Sequence, residues 1–231
     1  MNESGPKVAA IIPAHNEAAT IATVVEVALR SPHVDEVIVV DNLSTDETAS
    51  LAEAAGARVI PATTLGKGNA MAEGVAATDA ELIVFLDADL LSLQPGHIDR
   101  LVRAVHQGAG MSCGLFDRGP LLNPIFLRFL PVLTGQRALH RELFESLQPE
   151  QIQGYRIEAA LNSRCADLGL KRVSFVCPGL WHLTKEKKSG SPVIGFVRKV
   201  SMLATAMASY ATYFLRHRLL TRQAQSPTRS H

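Results

Sequence analysis

The 231-residue chain is poor in cysteine and in aromatic residues. Its three cysteines form no close pair, which argues against a disulfide scaffold or a cysteine-based zinc site. Aromatic residues make up 5% of the chain, too few for a surface that stacks nucleic-acid bases, so we expect no nucleic-acid partner. The polar start MNESGPK lacks the apolar core of a signal peptide, and we therefore expect a cytoplasmic protein.

Three familiar phosphate-binding motifs are also missing. The stretch Gly66–Asn69 (GKGN) lacks the hydroxyl residue and the earlier glycine of a P-loop. No GxGxxG motif follows the first apolar run, and the GxG-T-R start of sugar-nucleotide pyrophosphorylases is absent there as well. These absences disfavour a kinase, a dehydrogenase or a nucleotidyltransferase.

The composition is that of a folded protein, with 47% hydrophobic and 19% charged residues. The net charge of +1 conceals a division between the two halves. Residues 1–115 contain 6 Lys/Arg and 15 Asp/Glu, whereas residues 116–231 contain 17 and 7. This division predicts a cation site in the acidic first half and an anionic partner for the basic second half.

Short apolar runs alternate with helical patterns over the first half. The predicted strands are Val8–Pro13, Glu36–Asp41, Arg58–Pro61 and Leu82–Leu86, and the predicted helices are Glu17–Arg30, Asp46–Ala55 and Gly68–Ala77. Nearly continuous apolar strands separated by helices predict an α/β fold with a mostly parallel central sheet flanked by helices. Ligands of such sheets bind beyond the carboxyl ends of the strands. Residues 154–168 are predicted to be helical and Lys171–Cys177 to be a late strand.

Polar residues cluster where the predicted strands end. His15, Asn16 and Glu17 follow the first strand, and Asp41 and Asn42 end or follow the second. A helix cap or a solvated loop would explain any one of these residues, but the repeated clustering predicts a site.

Asp87 and Asp89 follow the fourth predicted strand. Residues i and i+2 of an extended chain point to the same side, so both carboxylates can reach one divalent cation.

Four segments in this order resemble glycosyltransferase family 2, whose members have the GT-A fold. They are Ile11–Glu17 (IIPAHNE), Val39–Thr48 (VVDNLSTDET), Leu65–Gly74 (LGKGNAMAEG) and Phe85–Leu90 (FLDADL). Thr134–Arg137 and Gly154–Pro178 are similar to segments of polyprenyl-phosphate glycosyltransferases. The latter block is also similar to one in glucosyl-3-phosphoglycerate synthases.

The resemblance implies a metal-dependent enzyme that uses a UDP- or GDP-sugar with Mg²⁺ or Mn²⁺. Residues implied to contact the nucleotide sugar are Pro13, Ala14, His15, Glu17, Asp41, Asn42, Gly66, Lys67, Asp87 and Ala88. His15 stands where the family usually has tyrosine, and Asn42 where a second aspartate is common. The implied metal ligands are Asp89, Asp87 and His182, although His182 could equally be an ordinary loop histidine.

The acceptor is expected to carry a phosphate. The chain has no Glu-Asp pair of the kind that supplies a general base at a helix start in inverting relatives, and Glu158 is the only carboxylate at the corresponding helix start. Arg137, Arg141 and Lys185 would hold a phosphate, with Gln136 beside them, and Asp89, Arg137 and Glu158 are the predicted catalytic residues.

Three functions follow from these expectations. The first is hexosyl transfer to a polyprenyl phosphate, and the second is transfer to a small phosphorylated acceptor such as 3-phosphoglycerate. The third is a non-catalytic scaffold with the same fold.

The predicted domain organisation separates a glycosyltransferase domain from an amphipathic C-terminal helix. The domain covers residues 1–192, with a nucleotide-sugar half (1–115) and an acceptor half (116–192). The helix covers residues 193–220, and residues 221–231 are predicted to be a disordered tail. The uncharged run of the C-terminal helix is too short to span a bilayer and is flanked by basic residues. These features predict a peripheral position at the inner face of the cell membrane. Packing on the domain or on a second subunit of a homodimer is the alternative.

Overall fold

The structure is a computed structural model that describes residues 5–124, 127, 134–152 and 157–182. These residues belong to one compact unit, Met1–Leu183. The strands are β1 (Val8–Ala14), β2 (Glu36–Asp41), β3 (Arg58–Pro61), β4 (Leu82–Phe85), β5 (Leu90–Leu91), β6 (Met111–Phe116), β7 (Arg137–His140), β8 (Arg172–Cys177) and β9 (Trp181–His182). The helices are α1 (Ile21–Leu29), α2 (Thr48–Ala54), α3 (Lys67–Ala76), α4 (Pro95–His106), α5 (Arg141–Glu145), α6 (Pro149–Ile152) and α7 (Ile157–Asp167).

Seven strands form one sheet in the order β3-β2-β1-β4-β7-β6-β8. The pairs β1–β2, β1–β4, β2–β3 and β6–β8 are parallel, and only β7 runs antiparallel to its neighbours β4 and β6. The prediction of a mostly parallel sheet flanked by helices is therefore confirmed. A separate two-stranded sheet pairs β5 with β9.

Helices cover both faces of the large sheet. One hydrophobic cluster joins α1, α2 and α4 to alternate strand residues such as Ala10 and Ile12. The other joins α3, α5 and α7 to the intervening residues, such as Ala9 and Ile11. Because successive side chains of a strand point to opposite faces, a buried strand must be apolar on both sides, which explains the uninterrupted apolar runs.

The predicted elements of the first half agree closely with the structure, but four of the observed strands, β5, β6, β7 and β9, were not predicted. Helix α1 begins at Ile21 rather than Glu17, because the backbone of Glu17 first accepts the turn hydrogen bonds of Thr20 and Ile21. Strands β6 and β7 had no sequence signal as clear as the earlier runs.

The predicted C-terminal elements, residues 193–220 and 221–231, lie outside the described residues, as does Lys185. None of the helices described is long and apolar enough to cross a membrane.

Candidate active site

The carboxyl ends of β1, β2, β4, β6 and β8 meet at one edge of the sheet. Because β7 is antiparallel, its amino end, with Gln136 just before it and Arg137 at its start, lies at this same edge. We call it the carboxyl edge. It gathers the loops in which the sequence placed most of the candidate site residues.

The loops after β1 and β2 are joined by hydrogen bonds. His15 donates from Nδ1 to the carbonyl of Asn42 at 2.8 Å, and the amide of Thr45 donates to Oδ1 of Asn16 at 2.8 Å. The register sets Ala14 beside Asp41 across the two strands. The predicted nucleotide-contacting residues of both loops therefore lie together. These residues are Pro13, Ala14, His15, Glu17, Asp41 and Asn42.

Asn42 joins this pair of loops to the start of α3. Its side-chain Oδ1 accepts the amide of Gly66 at 3.0 Å, and the residue is almost fully buried. Gly66 has a φ of 143°, a conformation that is open to glycine at no steric cost. This connection holds the first residue of α3, Lys67, at the carboxyl edge.

Lys67 lies between two carboxylates at the centre of this edge. Its Nζ is 2.8 Å from Oδ1 of Asp87 and 2.7 Å from Oε1 of Glu158. The side chains of Lys67, Asp87 and Glu158 are 25%, 21% and 14% exposed, so water screens the two ion pairs only partly. Burial by itself would lower the pKa of Lys67, but the charges of Asp87 and Glu158 raise it above its ordinary value. Lys67 is therefore a cation throughout the neutral range.

The second oxygen of Asp87 is bound as well. Gln136 donates from Nε2 to Oδ2 of Asp87 at 2.6 Å. The hydroxyl of Thr134 donates to Oε1 of the same Gln136 side chain at 2.6 Å. Gly135 lies so close that a β-carbon there would overlap the Asp87 carboxylate. Burial would raise the pKa of Asp87, but Lys67, Gln136 and Arg137 hold it below its ordinary value. Both oxygens of Asp87 already have partners, so its part as a metal ligand stays a prediction.

Arg137 is not placed where an acceptor phosphate could reach it. Its side chain is fully buried and donates to the carbonyls of Thr134 and Glu158, and its Nε has no hydrogen-bond partner among the residues that the structure describes. The residue lies on β7, an internal strand, between Phe85 and Cys113 on the neighbouring strands. The expectation that Arg137 contacts the acceptor is corrected in this respect, because its strand directs it into the interior.

Arg141 also serves the fold rather than the acceptor. Its guanidinium donates to the carbonyls of Val75, Thr78 and Ala80 at the end of α3, and its Nε pairs with Glu145 at 2.7 Å. Cations near a helix C-terminus stabilise its unpaired carbonyls. The expectation that Arg141 holds a phosphate is therefore also corrected.

His182 lies on the strand that pairs with the residue after the DxD motif. The antiparallel register of β5 and β9 sets His182 opposite Leu90, the residue that follows Asp89. The Nδ1 atom of His182 is buried and has no hydrogen-bond partner in the described part of the chain, and its ring lies 4.7 Å from that of Phe116. An imidazole nitrogen that is buried and unpaired among the described residues suits a bound cation.

Within the described ranges, no group of three or more His, Cys, Asp or Glu side chains could hold a metal ion. A cation at Asp89 and His182 would therefore take its remaining ligands from water and the diphosphate. Divalent cations in nucleotide sites commonly bind in this way.

Sequence reasoning missed the loop that follows β6. Asp117 accepts the amides of Gly119 and Gly179, each at 3.0 Å, and the side chain of Asn123 at 2.9 Å. These bonds lower the pKa of Asp117 to about 2 and tie the end of β6 to the turn before β9. The next residue, Arg118, therefore lies at the carboxyl edge too. A signal was available, because Asp117 follows an apolar run just as Asp87 does.

Comparisons with known proteins agree with this architecture. The model of "Glycosyl transferase family 2" matches residues 9–145. The glucosyl-3-phosphoglycerate synthase of Mycobacterium tuberculosis strain H37Rv is 32% identical over 218 residues, covering 77% of this chain and 67% of that protein. The synthase of Petrotoga mobilis is 27% identical, covering 67% of this chain and 59% of that protein.

A solved structure is similar over a greater length. The M. tuberculosis synthase in complex with Mn²⁺, uridine diphosphate and glucosyl-3-phosphoglycerate superposes with a TM-score of 0.73 at 27% identity. The match covers 91% of this chain and 81% of that one.

The sheet, its carboxyl-edge loops and these similarities define a nucleotide-sugar-dependent glycosyltransferase of the GT-A fold. The chain belongs to glycosyltransferase family 2. The predictions of the family, the fold and an enzyme are confirmed, and the scaffold alternative is set aside. The relatives favour the small phosphorylated acceptor over the polyprenyl phosphate that the sequence analysis put first, and they give no support to a membrane contact.

Proposed function

We propose that this protein transfers glucose from UDP-glucose to 3-phosphoglycerate in the presence of Mn²⁺ or Mg²⁺. The similarity to glucosyl-3-phosphoglycerate synthases supports this proposal, and one of their structures is described with Mn²⁺, UDP-glucose and phosphoglyceric acid. The structural observation that carries it is Lys67, an ammonium held at the carboxyl edge between Asp87 and Glu158.

On the donor side, the loops after β1 and β2 would hold the nucleoside. Asp41 would accept a hydrogen bond from the base, while Pro13, Ala14, His15 and Glu17 border it. Gly66 offers a backbone without a side chain at the start of α3, where a helix amino end and Lys67 both favour the negative diphosphate. Asp87 would hold Lys67 in place, with Gln136 and Ala88 supporting it, rather than act on the sugar directly.

The cation, when bound, neutralises the charge that develops on the departing diphosphate. Asp89 and His182 would hold it, because Asp89 directly precedes Leu90, the strand partner of His182, and the buried Nδ1 of His182 has no hydrogen-bond partner among the described residues. In the transfer, an acceptor hydroxyl oxygen bonds to the anomeric carbon as the bond from that carbon to the diphosphate oxygen breaks. The hydroxyl proton is released and uridine diphosphate departs.

On the acceptor side, 3-phosphoglycerate carries a phosphate and a carboxylate and therefore needs cationic partners. We assign the acceptor phosphate to Arg118, which follows Asp117 at the end of β6 and therefore lies at the carboxyl edge, whereas Arg137 and Arg141 donate to backbone carbonyls. Glu158 would act by binding Lys67, so that one ammonium is shared between the donor and acceptor sides. Lys185 would add a further cation.

The decisive experiment is to incubate the purified protein with UDP-glucose, Mn²⁺ and 3-phosphoglycerate and to detect the product by mass spectrometry. We expect glucosyl-3-phosphoglycerate and uridine diphosphate in equal amounts. A parallel reaction supplies a polyprenyl phosphate in detergent in place of 3-phosphoglycerate. Product only in that parallel reaction would overturn the proposed acceptor and restore the lipid acceptor.

A further inference from the structure

Leu43 has an unusual backbone conformation at the carboxyl edge. In the described part of the chain, three non-glycine residues have a positive φ, namely Asn16 (55°), Leu43 (60°) and Ser92 (58°). Asparagine tolerates this left-handed region, but a bulky residue such as leucine is an outlier there. Such outliers persist where the surrounding structure enforces them, and they concentrate at functional sites.

The residues on either side of Leu43 enforce its conformation. Asn42 donates its amide to Ala14 at 2.7 Å and accepts the amide of Gly66 on its side chain. Ser44 donates its amide to Asp41 at 3.3 Å and accepts the amide of Asn16 on its hydroxyl at 3.0 Å. With both flanking residues bound in this way, the backbone at Leu43 has no freedom to move to a more favourable region.

Neither the backbone nor the interior gives a reason for leucine at this position. The side chain is 49% exposed, and Leu43 belongs to neither of the two hydrophobic clusters of the fold. A glycine would adopt the same φ without steric cost. A leucine that is strained and half exposed gains no stability for the fold, which suggests that its apolar surface serves a ligand.

A second exposed leucine lies beside the same hydrogen bond. Leu65 is 63% exposed and directly precedes Gly66, whose amide donates to Asn42, the residue before Leu43. The loops that contain the two leucines have no Phe, Tyr or Trp to contact a ring. Asp41 ends β2 directly before the loop that contains Leu43. A polar group for the edge of a base and apolar groups for its face therefore occur together, which is the usual composition of a ligand pocket.

We propose that Leu43, with Leu65 beside it, forms the apolar wall against which the base of the donor nucleotide rests. The left-handed backbone at Leu43 is retained because it presents this side chain at the donor site. The inference rests on the proposed function, since it names a determinant of donor binding at the same site. In this proposal, Leu43 strengthens ligand binding at the expense of the stability of the fold.

The test compares Leu43→Gly and Leu43→Asn with the wild-type protein. Both substitutions keep a residue that tolerates positive φ and remove the apolar surface. Leu29→Ala is the matched control, because Leu29 is 44% exposed at the end of α1, at the opposite edge of the sheet. Binding of uridine diphosphate and of inorganic diphosphate is measured by calorimetry with Mn²⁺, and Tm is measured by thermal unfolding.

We expect both Leu43 variants to bind uridine diphosphate about 3- to 10-fold more weakly, to bind inorganic diphosphate as the wild type does, and to have an unchanged or higher Tm. The KM for UDP-glucose should rise by the same factor with little change in kcat. Leu43→Ala should have a lower Tm than Leu43→Gly, because alanine keeps the strain.

Two results would overturn the inference while leaving the proposed function intact. One is unchanged uridine diphosphate binding in the Leu43 variants, and the other is a lower Tm in Leu43→Gly, which would show that the side chain is structural. If the wild-type protein itself fails to bind uridine diphosphate with Mn²⁺, the proposed function fails and this inference fails with it.

Discussion

Two lysines of this protein each lie between two carboxylates, at opposite edges of the sheet. Lys67 contacts Asp87 and Glu158 at the carboxyl edge. Lys7 contacts Glu36 and Asp79 at the other edge, where β1, β2 and β4 begin, with Nζ distances of 3.2 and 2.6 Å. The distances are alike, and the environments differ. Asp79 is 86% exposed, whereas Glu158 is 14% exposed.

This difference in exposure decides what each cluster can do. Exposed ion pairs are screened by water and contribute little to stability. Partly buried pairs keep their charges in a region of lower polarity, where they act strongly on one another and on a bound anion. A lysine between two carboxylates is therefore an ordinary exposed cluster at the Lys7 edge of the sheet, whereas at the carboxyl edge it forms part of a candidate site.

The largest effect is expected from removing the buried lysine. Lys67→Met leaves Asp87 and Glu158 facing each other without a cation, which should lower the free energy of unfolding by about 3–5 kcal/mol. Activity should be lost as well. Chemical denaturation and turnover assays measure both effects.

Lys7→Met is the control for this prediction, because it removes the exposed lysine and should change neither quantity appreciably. Adding Glu158→Gln to Lys67→Met should restore part of the lost stability. Equal destabilisation by Lys7→Met and Lys67→Met would contradict the contrast between the two edges.

The next effect concerns the proposed cation. Asp89→Ala should reduce turnover by about 10²- to 10³-fold, because the charge of the leaving diphosphate would no longer be neutralised. The folded state should be retained, as measured by circular dichroism. Removing metal with a chelator should weaken uridine diphosphate binding in the wild type and have little effect in the variant. Asp79→Ala, at the opposite edge, serves as the control and should retain full turnover.

A smaller effect is expected at the acceptor. Arg118→Ala should raise the KM for 3-phosphoglycerate by about 10-fold or more, as loss of a charged hydrogen bond to phosphate does. The KM for UDP-glucose should stay the same. Arg58→Ala, which removes an exposed arginine at the opposite edge, is the matched control. An unchanged acceptor KM in the Arg118 variant would remove that residue from the acceptor site.

The smallest effect is a pH dependence of stability. Burial lowers the pKa of His97 below its ordinary value, and Arg100 adds to this shift, although a hydrogen bond to Pro178 opposes it. The unfolded chain therefore takes up a proton on His97 more readily than the folded one. Stability should be complete above the ordinary pKa of 6.5 and should fall as the pH is lowered through that value.

Thermal unfolding between about pH 7.5 and 5.5 tests this prediction, and a loss of at most about 1 kcal/mol is expected. His97→Gln should flatten this pH dependence. His140→Gln, which changes an exposed histidine at the far edge, should leave it as it is in the wild type. Identical curves for all three proteins would show that His97 contributes nothing.

Strands β1 to β4 and the three helices between them could be predicted to within a few residues. Strands β2 and β3 were predicted with their observed bounds, and α3 was placed within one residue at each end. A strand buried on both faces must be apolar throughout, and two parallel neighbouring strands must be joined by a helix. The apolar run and the helical pattern are both local signals in the sequence. The same logic brought Asp41 and Asp87 to one edge, whereas Lys67 was expected there only from the resemblance to the family.

The second half could not be predicted in this way. Strand β7 is four residues long and contains a buried arginine, which no hydrophobic pattern indicates as interior. The net positive charge of this half suggested exposed cations, but Arg137 and Arg141 donate hydrogen bonds to backbone carbonyls instead. A charge count records how many cations a segment has and carries no information about what they face.

Short-range periodicity in the sequence was enough to predict the fold class, the edge at which the site lies and the acidic residues of the DxD motif. Which cations lie at that edge depended on the packing of distant segments. Lys67 is held there by carboxylates from β4's end and from α7, 20 and 91 residues away along the chain. Arg137 is turned inward by two neighbouring strands. Such outcomes depend on contacts between distant segments, which a local pattern of residues does not encode.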